Sequence, residues 1–288
     1  MFINFFFYLE NIYIYNIYIM NVLNNTTKSI GTTAKSIYNK LPDGKFGKII
    51  KAIIGIIIVI IMVSLSKNMF RKYKKWQNST IWLIKNTKSA KQGRIIYQDP
   101  IRHEDDAKTL MRSENENGGI EFTYVLWLHI DDWTYEYNKW KHVFHKGNST
   151  SWPLRAPGVW LHPKENILRV YMNSFKAINE YVDVSNIPMH KWFHVAICVR
   201  QRNLDIFFNG NLVKRKVLEG LPKQNYGDVY INSFNGFSGY LSRFKYYNYY
   251  ISYSELVNHL NRGPSMMPCV DTNEMPPYLT PNWWSNNN

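Results

Sequence analysis

Cysteine is scarce: only Cys198 and Cys269 occur in 288 residues. Two cysteines cannot build a disulfide framework, and the absence of a C-x-x-C pair removes the usual zinc spacings. One bridge or two free thiols both fit, and the lack of other signs of an oxidising compartment favours thiols. Acidic residues are also few, 21 against 35 Lys and Arg, for a net charge of +14. No Glu-x-Asp-x-x-Glu triplet appears, the pattern that would place alternate carboxylates on one strand across a sugar bond. The nearest acidic group, Asp131, Asp132 and Glu136, adjoins turn-like residues and reads as solvated loop. No glycine-rich phosphate loop follows a strand, and the eight histidines show no metal spacing. His142 and His145, three apart on a strand, are expected to face opposite sides. Scattered Asp131, Asp132, Asp183, Asp205 and Asp228 lack calcium-ligand spacing, so no metal or cofactor is expected, calcium being the residual candidate.

What is abundant is apolar and aromatic. Hydrophobic residues make up 45% of the chain and aromatic ones 16%, enough for a sizeable core. Residues 49–66 are the clearest local feature, with no charge from Ala52 to Ser66. Within it, the seventeen residues 49–65, at about 1.5 Å each in a helix, reach about 25 Å, the short end for a bilayer core. Lys51 and Lys67 flank the run and can snorkel to the headgroups. The basic excess surrounds this run: residues 20–117 hold 18 Lys and Arg against 7 Asp and Glu. That distribution points to a lipid surface rather than to nucleic acid. Basic residues stand on both sides, so a single-pass orientation is left open. Residues 1–19 are apolar but broken by Glu10, Asn11 and Asn16, without a signal-peptide pattern. Met20 is read as the true start, with the residues before it as upstream read-through. Residues 20–48 read as a polar flexible tail and 67–78 as a basic juxtamembrane linker.

From residue 79 the pattern changes to short strands separated by turns every 8–15 residues, which argues an antiparallel β-sandwich over 79–264. In Trp192–Arg200, Phe193, Val195, Ile197 and Val199 share one face and His194, Ala196, Cys198 and Arg200 the other. Asn209-Gly210 is a two-residue hairpin signal, since both residues tolerate positive φ. One short helix is expected, starting after Ser252 or Ser254 and stopping before Gly263-Pro264. Residues 265–288 form a proline- and asparagine-rich tail. Phe234, Phe237 and Tyr240 are expected to close the core. Trp133, Tyr135, Tyr137 and Trp140 alternate within one stretch. If extended, they present one aromatic face suited to a sugar; otherwise they cap the core.

Two stretches carry a family resemblance: Trp192–Ala196 followed by Leu204–Leu212, and Gly236–Phe244 followed by Tyr246–Asn248 and Ser252–Leu256. They resemble laminin-G-like domains of the concanavalin-A-like superfamily. The resemblance implies a jelly-roll sandwich and gives motif roles, structural ones, to Trp192, His194, Asp205, Asn209, Gly210 and Gly239. Gly118–Asp132, Lys141–Gly147, Asn186–Ile197 and Pro222–Asn232 are similar to membrane-anchored laminin-G-like proteins encoded by large DNA viruses. The fold hosts many functions, so it does not choose among them. The expectation is a membrane-anchored, non-catalytic binding or structural protein with a protein or glycan partner. A lectin used in attachment is the alternative, and a glycoside hydrolase the remoter one.

Overall fold

The computed structural model describes residues 44–103, 107–112 and 120–268. The expectations for residues 1–19, for most of 20–48, for Gly118-Gly119, for Cys269 and for most of the 265–288 tail fall outside that set. The chain divides into two units, Met1–Tyr73 and Lys74–Asn288.

Helix α1 (Lys45–Asn78) contains the apolar run and extends through the basic segment after it. Lys48–Phe70, 23 residues, is long and apolar enough to cross a membrane. At 1.5 Å per residue it reaches about 35 Å, against a hydrocarbon core of about 30 Å. Apolar side chains occupy every side of it rather than one stripe, as in a helix surrounded by apolar material.

The second unit is the expected sandwich of two antiparallel sheets. The seven-stranded sheet runs β1 (Thr80–Ile84), β13 (Ser238–Tyr247), β4 (Glu121–Asp132), β9 (Trp192–Arg200), β10 (Asn203–Phe208) and β11 (Asn211–Val217), with β2 (Lys88–Ser89) also on β13. The six-stranded sheet runs β3 (Arg94–Ile96), β12 (Asp228–Ile231), β5 (Lys141–Gly147), β6 (Arg155–Leu161), β7 (Ile167–Met172) and β8 (Glu180–Ser185). The period-2 alternation decides which side chains meet between the sheets. Phe193, Val195, Ile197 and Val199 join Val159, Leu161, Leu168, Val170, Val182 and Val184 in one core. Asn209 (φ 48°) and Gly210 (φ 82°) form the turn between β10 and β11, where Phe208 pairs with Asn211.

The opposite face of β9 is also covered. Helix α2 (Tyr253–Asn261) lays Leu256 against Val125, Ala196, Cys198, Tyr247 and Ile251. Its start is fixed by a reciprocal cap: the Ser252 side chain accepts from Glu255 N–H, and the Glu255 carboxylate accepts from the Ser252 backbone. Cys198 is a free thiol, fully buried, and burial pushes its pKa up to about 12.

Two expectations about the core need correction. Phe237 is buried, but Phe234 and Tyr240 are 49% and 44% exposed. Phe234 stacks on Trp160 outside the six-stranded sheet, and Tyr240 lies beside His129 and Trp192 outside the other. The edge strand β11 is exposed along nearly its whole length and carries Lys214, Arg215 and Lys216.

Candidate functional site

The outer face of the six-stranded sheet carries the densest set of outward aromatic and charged groups. On β7, Leu168, Val170 and Met172 enter the core, which turns Arg169 and Tyr171 outward. On β8, Val182 and Val184 point in and Tyr181 and Asp183 out. Antiparallel register then sets Arg169 opposite Asp183 and Tyr171 opposite Tyr181. The Arg169 guanidinium grips Asp183 with two bonds of 2.6 Å, Nε to Oδ1 and Nη2 to Oδ2. That pairing pushes the guanidinium pKa further up. Its carbon lies 3.9 Å from the Tyr181 ring centroid and 4.9 Å from that of Trp140. One row further, the Arg155 guanidinium lies 3.7 Å from the Tyr171 centroid and 5.6 Å from that of Trp152.

Rings and guanidinium groups therefore alternate across β6, β7 and β8. Each such contact is worth about 0.5–1 kcal/mol at an exposed site. Arg155 and Arg169 lie over the Tyr171 and Tyr181 rings, while Tyr181 and Trp152 stay 44% and 54% exposed. Such rings can stack on the apolar face of a sugar or on a partner's side chains.

The loop after β4 does not form the single aromatic face that strict alternation allows. Glu136 (φ 50°) and Asn138 (φ 64°) take left-handed backbone and break the extension. Trp133 packs on the core and donates its Nε1–H to His162 O at 3.1 Å. Tyr135 points elsewhere, donating to Asn235 O at 3.1 Å with Lys91 Nζ 4.7 Å from its ring centroid. Tyr137 is 59% exposed. Trp140 alone of the four joins the outer face, against His162, Tyr171 and Arg169. The alternation of Arg169 with Tyr171 and of Tyr181 with Asp183 within their strands was the available signal for the remaining members of that face.

The expectation for His142 and His145 is overturned. A bulge leaves Val143 without a partner between the His142–Trp160 and Phe144–Val159 pairs, so both histidines face outward. Both are buried beneath Trp160, Tyr230 and Phe234. Their tautomers follow from the ends of the chain of bonds. Ser233 N–H donates to His142 Nδ1 at 2.9 Å, so His142 carries its proton on Nε2 and donates to His145 Nδ1 at 2.7 Å. His145 Nε2 then donates to Asn148 O at 2.7 Å. Burial, and for His142 the neighbouring His145, depresses both pKa values.

The motif residues occupy structural places. Trp192 packs edge-on to His129. His194 is buried with Nε2 2.9 Å from Nδ1 of His259 on α2, and burial lowers its pKa to about 4. Its backbone N–H donates to Asn209 Oδ1 at 2.8 Å, tying β9 to the hairpin turn. Asp205, buried, accepts from Arg215 Nε and Nη2 at 2.5 and 2.7 Å and from the Tyr250 hydroxyl at 2.9 Å. Gly239 (φ 146°) crosses β4 so closely that a Cβ would stand 1.9 Å from His129 O.

The acidic residues near the loop are engaged with the protein's own groups. Asp131 Oδ1 lies 2.7 Å from His129 Nδ1. Asp132 accepts from Thr134 N–H and Oγ1–H, which lowers its pKa. Glu136 holds Lys139 at 2.7 Å and Asn235 at 2.8 Å. Among the described residues, no group of three or more His, Cys, Asp or Glu is arranged to hold a metal ion.

Two apposed antiparallel sheets with this motif set define a lectin-like jelly-roll domain. Residues 104–257 match the family model Laminin_G_3, described as the concanavalin A-like lectin/glucanases superfamily. The chain belongs to that family. A search of curated proteins found no match. Similar solved structures include the receptor-binding domain of botulinum neurotoxin mosaic serotype C/D, at 10% identity and TM-score 0.41, over 50% of this chain and 37% of that one. A structure of botulinum neurotoxin type C, described by its cell entry being dependent upon interaction with two ganglioside molecules, gives 15% and 0.39, over 50% and 36%. The structure titled HCR/D-Sa-GBL1/C gives 13% and 0.44, over 64% and 52%. The chain thus spans about a third to a half of the length of these structures.

Proposed function

We propose that the protein is a membrane-anchored, non-catalytic binding protein. Its apolar helix crosses a lipid bilayer once, and its laminin-G-like sandwich engages a protein or glycan partner. The observation that carries the binding reading is the outer face of β6, β7 and β8, where exposed Tyr181 and Trp152 lie beside Arg169 and Arg155. Arg169 is neutralised by Asp183 within the face, so the rings rather than a free charge lead the contact. In the group of large-DNA-virus proteins that the sequence resembles, such a molecule is a component of the virion or of the infected-cell membrane.

A true lectin is the narrower reading of the same face, because stacked rings flanked by guanidinium donors suit a sugar. The test is a glycan array probed with the full chain in neutral detergent, wild type against Tyr181→Ala and Trp140→Ala. Saturable binding to a defined glycan, lost in both variants, supports the lectin. Binding that survives both variants refutes this face as the site. Protease protection of the sandwich in sealed vesicles, with carbonate extraction, tests the anchor: release from the membrane fraction at high pH refutes it.

A further inference from the structure

Residues of both sheets line a cavity of about 30 Å³ that opens to solvent. Phe122, Tyr124 and Ala156 form its apolar wall. Its polar lining is Arg112, Lys146, Lys223, Gln224 and Asn225, with no carboxylate lining it among the described residues. Arg112, Lys146 and Lys223 line one small opening, and a cation near it lowers the cost of placing a negative group there.

The lining is built rather than incidental. Lys146 comes from the end of β5 and is only 8% exposed. Its ammonium donates to Gly227 O at 2.5 Å, which leaves further N–H donors on the same nitrogen. Burial lowers its pKa to about 8, even with Asp228 pulling the other way. The segment that carries Lys223, Gln224 and Asn225 is pinned at both ends. Lys223 N–H donates to Asn173 O at 2.9 Å. Asn225 Nδ2 donates to Lys146 O at 2.5 Å, and Asn225 Oδ1 accepts from Gly227 N–H at 2.8 Å. Lys223 Nζ rests 5.9 Å from the exposed Phe175 ring centroid, a weak contact that it can leave. A pre-formed pocket loses little ordering entropy on binding.

We infer that this cavity is an oxyanion site, taking a sulfate, phosphate or carboxylate group either as a free ion or as the charged end of a larger ligand. Arg112 offers the planar fork that such a group accepts, and Lys146 a buried point charge behind it. The inference stands whether or not the outer sheet face binds a glycan.

The test uses the full chain in neutral detergent at constant ionic strength, with chloride exchanged for sulfate, phosphate or acetate, and a parallel titration with glucose 6-sulfate. Two readouts are taken. One is the thermal midpoint of wild type, Arg112→Gln and Lys146→Met. The other is the rate at which a small amine reagent labels Lys146, read by mass spectrometry. The expected result is a saturable rise in midpoint for wild type that both variants lack. Labelling of Lys146 slows about tenfold when the anion stands at ten times its dissociation constant. Tighter binding of glucose 6-sulfate than of sulfate marks the charged end of a larger ligand, and the reverse marks a free ion. Equal midpoint shifts in wild type and Arg112→Gln overturn the proposal, as does labelling of Lys146 that no anion slows.

Discussion

Replacing Gly239 with alanine should be among the most damaging single-methyl additions in the sandwich. Gly239 lies opposite Ile130 where β13 crosses β4, with the register shifted between Ser238 and Gly239. Two costs add. The backbone (φ 146°) lies where L-residues are strained, about 1–3 kcal/mol. The new Cβ would stand 1.9 Å from His129 O and 2.9 Å from its carbonyl carbon. Relief requires more than 1 Å of separation between two hydrogen-bonded strands, an overpacking cost of about 1–3 kcal/mol or more. The sum is about 2–6 kcal/mol, a large part of a typical 5–15 kcal/mol stability. Gly263→Ala is the matched control, because Gly263 also has positive φ (62°) but nothing within 4 Å of its Cβ. It should cost about 1–2 kcal/mol, the backbone part alone. Urea unfolding of both variants in detergent, followed by tryptophan fluorescence, reads the difference as a shift in midpoint at constant m. If Gly239→Ala costs no more than Gly263→Ala, the close approach of β13 to β4 is wrong.

Acid should destabilise the sandwich before its carboxylates titrate. His142, His145, His194 and His259 all have pKa values lowered by burial, His194 to about 4. The native state keeps them neutral, while the unfolded chain takes up protons near pH 6.5. Stability therefore falls as pH drops from 6.5 towards 4, by about 3 kcal/mol for His194 alone; a flat urea midpoint between pH 7 and 4.5 would contradict this. In a Cys269→Ser chain, Cys198 should resist thiol reagents at pH 8 until denaturant is added, since its pKa is pushed up to about 12. Rapid labelling of the folded chain would show the α2 face to be open. Ser252→Ala removes the cap of α2 and should cost about 1 kcal/mol, read from the same urea curves. An unchanged midpoint would place the start of the helix elsewhere.

Local chemistry made much of the fold legible. The alternation in β9, the Asn209-Gly210 turn and the Ser252 start of α2 are written in consecutive residues, and the structure places each where its residues indicate. Strand order is not written that way. β1 lies beside β13 and β3 beside β12, pairings between distant segments that no local period encodes. Two features of the site share one cause, a short departure from extended backbone. The bulge at Val143 brought His142 and His145 to one face, and left-handed Glu136 and Asn138 dispersed the four aromatic residues of the loop. Asn138 hints at such a turn; nothing in the residue types marks Val143 or Glu136. The ring-and-guanidinium face needed only the period already visible in β7 and β8, together with the register that joins them.

The charged rim formed by β11 sets how copies of this domain behave when packed side by side. An open ladder of amide and carbonyl groups invites another chain to add itself, yet here Lys214, Arg215 and Lys216 would have to approach their own counterparts. Strand-to-strand addition along this edge is thereby disfavoured.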